Sequence, residues 1–224
     1  MFNNVYILIP VFNEENIIEN VINELKTSFK HIVVVNDGST DLTSDILDSL
    51  NVTQLKHSIN LGQGAAISSG LKYIKKLENA KAIITFDADG QHSVDDARSF
   101  AAEILQCEED VIFGSRFIHK KSNTPFIKRV VLTIVIFFTK IVSKVNLTDA
   151  HNGLKAFKKS CLKDIEINID GFGFESQIIH QVSMNNIKYK ELPTTITYTD
   201  YSKGKGQKIL NGLIILEDIV RSRK

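Results

Sequence analysis

Apolar runs that each end in polar or acidic residues constrain this chain more than any other feature of its sequence. The clearest run is 83–86, which leads directly into Asp87 and Asp89. A run that is apolar at nearly every position predicts a strand buried on both faces, as in a parallel sheet. In an open α/β sheet, ligands bind beyond the carboxyl ends of the strands. We therefore expect the two carboxylates to line a crevice, where a hard divalent cation would offset their repulsion.

Strand-like and helix-like patterns alternate along the first half of the chain. Strands are predicted at 5–9, 31–36, 52–56, 81–86 and 111–114, and helices at 15–29, 42–50, 64–77 and 95–107. This alternation predicts an α/β fold with a mainly parallel central sheet flanked by helices. A length of 224 residues, 43% of them hydrophobic, suits a single domain overall.

Cysteine usage and the position of the first strand indicate where the chain works. Cys107 and Cys161 fit neither a metal-site spacing nor a disulfide framework, which favours a reducing compartment. The first predicted strand begins at residue 5 and leaves no room for a signal peptide ahead of it. We therefore expect a cytoplasmic location.

Charge is divided unevenly between the two halves of the chain. Residues 1–110 carry 8 Lys and Arg against 17 Asp and Glu, whereas residues 111–224 carry 19 against 9. The overall net charge is only +1. This asymmetry indicates that the first half faces a cation and the second half faces anions, either phosphate or a membrane surface.

Two further strand ends carry polar residues that are candidates for ligand binding. Pro10 is followed by Phe12, Asn13 and Glu14 at the mouth of a predicted helix, where ordinary capping by Asn13 is an equally good interpretation. Asp37 follows the second strand, where it could accept hydrogen bonds from a base edge or a ribose, or could simply form an Asp-Gly turn.

The segment 60–65, Asn-Leu-Gly-Gln-Gly-Ala, is a glycine-bearing loop that enters a helix. It lacks the Gly-Lys-Ser/Thr ending of a P-loop, and Ile67 occupies the third small position of the dinucleotide fingerprint. A dinucleotide-dependent oxidoreductase is therefore disfavoured. Close backbone approach to a ligand and simple turn geometry both remain open for this loop.

The acidic pair predicts a site for Mg²⁺ or Mn²⁺, because these ions prefer oxygen ligands and accept further oxygens from phosphates. Asp89 and Gln91 are the candidate ligands, and Asp87 either completes the metal site or holds a ribose. His92 is a weak candidate, since a hard ion prefers oxygen to imidazole nitrogen.

Together these segments resemble the family 2 glycosyltransferases with the nucleotide-diphospho-sugar transferase (GT-A) fold, and are most similar to the polyprenyl-phosphate sugar transferases. Segment 10–14 is similar to the family's Pro-x-Tyr-Asn-Glu, and 36–41 to Asp-Asp-Gly-Ser-x-Asp. Segment 60–65 resembles Asn-x-Gly-Lys-Gly-x-Ala in outline, with Gln63 in place of the usual Lys, and 87–92 resembles the metal-binding Asp-x-Asp segment.

The resemblance continues less closely into the second half. Segment 114–116 resembles the family's Gly-Ser-Arg, and 149–155 resembles its Asp-x-x-x-Gly-Phe-Arg near the reacting centre. Segment 198–208 occupies the place of a basic loop that closes over the pyrophosphate, but it has Tyr201 where the family often has Arg. We accordingly divide the chain into a nucleotide-sugar-binding half, 1–116, and an acceptor-side half, 117–224.

What the resemblance implies is inverting transfer from a nucleoside diphosphate sugar, with the following site residues. The nucleotide sugar is expected to contact Pro10, Phe12, Asn13, Glu14, Asp37, Gln63, Asp87 and Ala88, and the metal Asp87, Asp89 and Gln91. Arg116, Lys203 and Lys205 would offset phosphate charge. A sugar hydroxyl acceptor needs a general base, for which Asp149 is the candidate and Glu175 the reserve, whereas a lipid phosphate needs none.

Segment 126–145 is predicted to be an apolar helix that lies in a membrane interface. No acidic residue occurs from 111 to 148, and Arg129 and Lys140 flank an apolar stretch that is too short to span a bilayer. A helix with this pattern suits the surface of an anionic leaflet, although burial in a protein core or a dimer is also open. Further on, a strand pair or one long strand is predicted at 187–199 and a helix at 209–220.

The leading function is transfer of a sugar to a polyprenyl phosphate by an enzyme that works peripherally at the cytoplasmic face of a membrane. The alternative acceptor is a hydroxyl of a lipid-linked glycan, and the non-enzymatic alternative is a nucleotide-sugar-binding scaffold. No nucleic-acid partner is expected, and homo-oligomer formation is open.

Overall fold

The computed structural model describes residues 1–118, 145–149, 152–171 and 173–197, and the single positions 133, 136 and 140. The strands are β1 (Phe2–Val11), β2 (Phe29–Asn36), β3 (Thr53–Lys56), β4 (Ala82–Thr85), β5 (Val111–Ser115), β6 (Lys155–Lys158) and β7 (Tyr189–Pro193). The helices are α1 (Ile18–Lys26), α2 (Thr43–Ser49), α3 (Gln63–Lys75), α4 (Val94–Gln106) and α5 (Phe174–Met184), with a 3₁₀ turn at Lys159–Lys163.

The seven strands form one sheet in the order β3-β2-β1-β4-β6-β5-β7. Every pairing is parallel except those of β6, which runs antiparallel to both β4 and β5. The mainly parallel α/β fold predicted from the sequence is thereby confirmed. Because β6 lies between two strands of the first half, residues on both sides of position 116 build the same sheet.

The core forms two layers, one on each face of the sheet, because successive side chains of a strand point to opposite faces. Tyr6 and Leu8 of β1 belong to the layer beneath α3 and α5, whereas Ile7 and Ile9 belong to the layer beneath α1 and α4. Each of these four β1 side chains is at most 5% exposed. Burial on both faces explains the unbroken apolar runs in the sequence.

Several element bounds differ from those predicted. Helix α1 begins at Ile18 rather than near residue 15, because residues 13–15 are hydrogen-bonded to the loop that follows β2 and to the first residue of α2. The expected strand over 187–199 is β7 together with an isolated bridge between Ile196 and His92. Strand β6 is not predicted by the sequence pattern.

The two C-terminal predictions fall largely outside the described residues. In the segment 126–145, only Thr133, Ile136, Lys140 and Val145 are described; the first three are helical, and Ile136 packs against the core layer beneath α3. The helix predicted at 209–220 lies wholly outside them. Among the helices that the structure describes, none is both long and apolar enough to cross a bilayer.

Candidate active site

Strands β1, β2 and β4 have their carboxyl ends at the same edge of the sheet, and their following loops carry the predicted site residues. Leu8 of β1 is paired with Val33 of β2 and with Thr85 of β4, so the three parallel strands are in register. Pairing with β4 ends at Leu8, so β1 continues past it with one free side. Pro10, which lacks an N–H donor, is tolerated there and is buried beside Val35.

The loop after β1 is attached to the loop after β2 by reciprocal hydrogen bonds. Asn13 donates its N–H to Ser39 Oγ at 3.0 Å, and its side-chain oxygen accepts the N–H of Thr40 at 2.8 Å. Asn13 has a φ of 54°, a conformation that asparagine tolerates better than most residues. The N–H of Glu14 donates to Thr43 Oγ1 at 2.8 Å. These bonds fix residues 12–14, the rim of the crevice, where Phe12 is 42% exposed.

The acidic pair after β4 lies at the centre of this edge. Asp87 is contacted by Gln63 Nε2 at 3.2 Å and by His92 Nε2 at 3.2 Å, on different carboxylate oxygens. Asp89 accepts two hydrogen bonds from Gln91, from its backbone N–H at 3.0 Å and from its side-chain amide at 2.7 Å. The structure thus brings Gln63, Asp87, Asp89 and Gln91 together.

The two carboxyl groups have pKa values shifted in opposite directions. Burial works against the charge of Asp87, but the hydrogen bond from His92 and the charges of His92, Lys155 and Arg116 outweigh it, so the pKa of Asp87 is lowered. Burial and the charge of Asp87 raise the pKa of Asp89 to about 6. One member of the pair is therefore held as an anion while its neighbour resists ionisation in the absence of a cation.

The chemistry of these residues would suit a hard divalent cation, whose remaining ligands a phosphate-bearing molecule would supply. The donor atoms are oxygens, and the Asp87 side chain is still 30% exposed. Within the described part of the chain, no group of three or more His, Cys, Asp and Glu side chains could hold a metal. A cation here would consequently depend on Gln91 and on diphosphate oxygens, as Mg²⁺ sites commonly do.

Two predicted contacts need correction because the side chains face inward. Ala88 is 5% exposed and belongs to the core layer beneath α1 and α4. Asp37 is 3% exposed, and its carboxylate accepts hydrogen bonds from the backbone of the loop after β3 rather than facing the crevice. Neither side chain is free to contact a base or a ribose in this arrangement.

The general-base prediction for Asp149 is not supported by its surroundings. Arg116 donates to Asp149 Oδ2 from its Nε at 2.6 Å and from its backbone N–H at 3.2 Å. The Asp149 side chain is 0% exposed, and that of Arg116 is 7% exposed. A carboxylate committed to a buried guanidinium is poorly placed to remove a proton from a substrate. Asp149 instead orients Arg116, which also lies 5.9 Å from the Phe117 ring.

A second buried ion pair lies close to the acidic pair, between β6 and the start of α5. Lys155 is paired with Glu175 and also donates to the carbonyl oxygen of Asn152 at 2.5 Å. Burial raises the pKa of Glu175 despite the opposing charge of Lys155. The sequence pattern indicates Glu175 only as a reserve base and assigns no role to Lys155. The sequence feature that could indicate this ion pair is Lys155 itself, the charged residue at the end of the 149–155 segment.

The segment after β7 passes beside the acidic pair. Thr197 donates its N–H to the carbonyl oxygen of Gln91 at 3.0 Å, and Ile196 is bridged to His92. Lys203 and Lys205, the predicted phosphate-binding residues, lie outside the described residues, a few positions further along the chain.

Comparison with known proteins places this arrangement in a class. The fold is similar to that of glucosyl-3-phosphoglycerate synthase from Mycobacterium tuberculosis crystallised with Mg²⁺ and uridine diphosphate, with a TM-score of 0.73 at 13% identity over 98% of this chain and 79% of that one. The same enzyme with Mn²⁺, uridine diphosphate and phosphoglyceric acid matches with a TM-score of 0.71. The expected GT-A fold is therefore confirmed.

Sequence comparison defines the family. Residues 6–166 match the glycosyl transferase family 2, and this chain belongs to that family. An uncharacterised protein of Methanocaldococcus jannaschii is 34% identical over 98% of this chain and 92% of its own length. The UDP-N-acetylglucosamine–dolichyl-phosphate N-acetylglucosaminyltransferase of Methanococcus voltae is 32% identical over 94% of this chain and 92% of its own length. The protein is thus a glycosyltransferase.

Proposed function

We propose that this protein transfers a sugar, with inversion, from a nucleoside diphosphate sugar to a polyprenyl phosphate. The observation that carries the choice of acceptor is the burial of Asp149 against Arg116. A neutral sugar hydroxyl needs a general base, whereas a lipid phosphate is already an anionic nucleophile. Both carboxylates that the sequence offered as bases, Asp149 and Glu175, are committed to buried cations. Transfer to a glycan hydroxyl is therefore the second candidate.

The names of relatives support the same acceptor class. The similar protein of Methanococcus voltae is a dolichyl-phosphate sugar transferase, and a polyprenol monophosphomannose synthase of Mycolicibacterium smegmatis is 23% identical over 89% of this chain. An acceptor of this kind resides in a bilayer. We accordingly place the enzyme peripherally at a membrane surface, with the basic second half toward the lipid phosphate.

The metal-binding role belongs to the residues after β4. Asp89 and Gln91 would hold Mg²⁺ or Mn²⁺, and Asp87 would complete the site or face the ribose. When bound, the cation would supply charge stabilisation for a departing diphosphate. His92, Lys155 and Arg116 lower the pKa of Asp87, so that one carboxylate is already negatively charged before a cation binds.

The donor is held by the rim residues and by Gln63. Phe12 is exposed beside the crevice and offers an aromatic face to a base, while Asn13 and Glu14 are fixed by the neighbouring loop. Gln63 occupies the position where the family usually has Lys, and its amide contacts Asp87. A neutral amide there leaves more of the diphosphate charge, as we propose, to Lys203 and Lys205, because Arg116 is already paired with Asp149.

A donor and acceptor panel tests this function. The protein is incubated with Mn²⁺ or Mg²⁺ and a series of nucleoside diphosphate sugars, with and without a polyprenyl phosphate, and nucleoside diphosphate release is measured. We expect release that depends on both the metal and the lipid phosphate, with the glycosylated lipid detected by mass spectrometry. Release that instead requires a glycan hydroxyl would favour the second candidate, and binding without any release would favour a nucleotide-sugar-binding scaffold.

A matched pair of variants tests the metal site. Asp89→Asn should lower the rate by a factor on the order of 100 or more, because it removes a charge that holds the cation beside the leaving group. Asp95→Asn changes a carboxylate that is 82% exposed on α4 and should leave the rate within about twofold. Near-normal activity of Asp89→Asn, with unchanged Mn²⁺ affinity, would show that the metal assignment is wrong.

A further inference from the structure

Ser69, His57 and Asp37 form a continuous line of hydrogen bonds next to the loop 57–62. Ser69 Oγ lies 2.9 Å from His57 Nε2, and His57 Nδ1 lies 2.6 Å from Asp37 Oδ1. Ser69 is on α3, His57 follows β3, and Asp37 follows β2. Since Asp37 accepts, the ring carries its proton on Nδ1, and Ser69 completes the line at Nε2.

The order Ser-His-Asp resembles the arrangement of a hydrolytic nucleophile, but its position argues against that chemistry. Ser69 lies in the middle of α3 (Gln63–Lys75), where backbone N–H groups are used in the helix. A nucleophilic serine needs free N–H donors beside it to stabilise an oxyanion. These three side chains must therefore act through the backbone N–H groups that Asp37 binds.

Asp37 connects this line to the loop 57–62. Its Oδ1 accepts the N–H of Leu61 at 3.0 Å as well as the His57 ring, and its Oδ2 accepts the N–H of Gly62 at 2.8 Å. The carboxylate is 4% exposed and sits beneath two successive backbone N–H groups. The buried charge is thus satisfied only while the loop keeps its present path.

The same loop is held from the opposite side by the segment before α5. Gly62 has a φ of 102°, and a Cβ atom on it would lie 2.3 Å from the carbonyl oxygen of Asp170. The N–H of Gly64 donates to that same oxygen at 2.8 Å. With Asp37 on one side and Asp170 on the other, the backbone at 61–64 has little freedom to move.

Gln63 lies in the segment that Asp37 and the carbonyl oxygen of Asp170 hold in place. It lies between the two clamped glycines, and its Nε2 reaches Asp87 Oδ1 at 3.2 Å. We propose that His57, supported by Ser69, is a positioning residue for the nucleotide sugar: it holds Asp37 in place so that the loop presents Gln63 at the Asp87 carboxylate. This inference rests on the proposed function, and it gives Asp37 a role beneath the donor site rather than in contact with the ribose.

Substitutions at His57 separate its two hydrogen bonds. His57→Phe keeps the ring but loses both bonds, and it should raise KM for the nucleotide sugar about tenfold or more while kcat stays within about threefold. His57→Asn places an amide N–H near the position of Nδ1 and should recover most of the lost KM. His31→Phe is the matched control, because His31 stacks on Tyr6 at 4.5 Å near the amino end of β2, away from the crevice.

Two measurements on the full chain do not depend on turnover. The His57 Nδ1 proton should give a resonance far downfield of the amide region, which His57→Phe removes and His31→Phe retains. Hydrogen exchange should show the Leu61 and Gly62 amides protected in the wild type and exposed in His57→Phe, with thermal unfolding of the variant remaining cooperative.

These readouts keep the two proposals distinguishable. Lost amide protection together with a raised KM supports the positioning role. Unchanged amide protection and an unchanged KM in His57→Phe would overturn the positioning role, even if the wild-type enzyme is active. If the wild type releases no nucleoside diphosphate from any donor, the proposed function fails, while the exchange data still decide whether His57 holds the loop.

Discussion

Substituting Gly153 by alanine should inactivate the enzyme without unfolding it. A Cβ atom at this position would lie 2.0 Å from Oδ2 of Asp87 and 2.4 Å from its Cγ. Ordinary van der Waals contact begins near 3.4 Å, so the carboxylate must move by about 1.4 Å. Because the Asp87 side chain is 30% exposed, it has room to turn toward the crevice, and the core need not rearrange.

A displacement of this size is large for a site that must hold a charged leaving group. A misplacement of about 1 Å can reduce the rate on the order of 100-fold, and the same movement breaks the contacts of Asp87 with Gln63 and His92. We therefore expect Gly153→Ala to lower kcat/KM by about 100-fold and to weaken Mn²⁺ binding, as measured by nucleoside diphosphate release and by calorimetric metal titration.

A second glycine provides the control. A Cβ atom on Gly171 would meet no atom within 4 Å, so Gly171→Ala should keep activity within about twofold. Both variants should unfold within a few degrees of the wild type. Activity of Gly153→Ala within about threefold of the wild type would refute the reasoning, because it would mean that the position of Asp87 is not critical.

Three further outcomes follow from buried titratable groups. Lys155→Met should destabilise the fold by about 3–5 kcal/mol in urea at neutral pH, because it leaves Glu175 buried without its cation, and adding Glu175→Gln should recover much of this; equal stability of the single variant would contradict the pairing. Burial raises the pKa of both thiols, that of Cys161 to about 12, and Cys161 is the more buried of the two, so iodoacetamide should label Cys107 first and Cys161 only on unfolding; equal labelling rates in the native state would disprove this. Burial also raises the pKa of Glu191, so the stability it contributes is present below pH 4.5 and is lost as pH rises through its folded pKa; Glu191→Gln should flatten that part of the urea–pH profile, and an unchanged profile would count against it.

The sequence predicted the fold well where the signal was local. Five parallel strands and four helices were placed within a few residues of their observed bounds, because each strand buried on both faces must be apolar at successive positions. Strand β6 was not found, since Lys155–Lys158 has only four residues and two of them are lysines. Its identity as a strand depends on pairing with β4 and β5 on either side.

The candidate site shows the same difference between features that depend on local sequence and features that depend on tertiary contacts. The order of residues along the chain is enough to predict that Asp87, Asp89 and Gln91 follow a buried strand, and that a helix-entry loop carries Gln63. Which charges pair with one another depends on the tertiary fold: Arg116 pairs with Asp149, 33 residues away along the chain, and His57 with Asp37, 20 residues away. Periodicity and residue type encode which face is buried. Neutralisation of a buried charge depends on proximity in space, which exists only once the strands have aligned and brought their carboxyl ends to one edge.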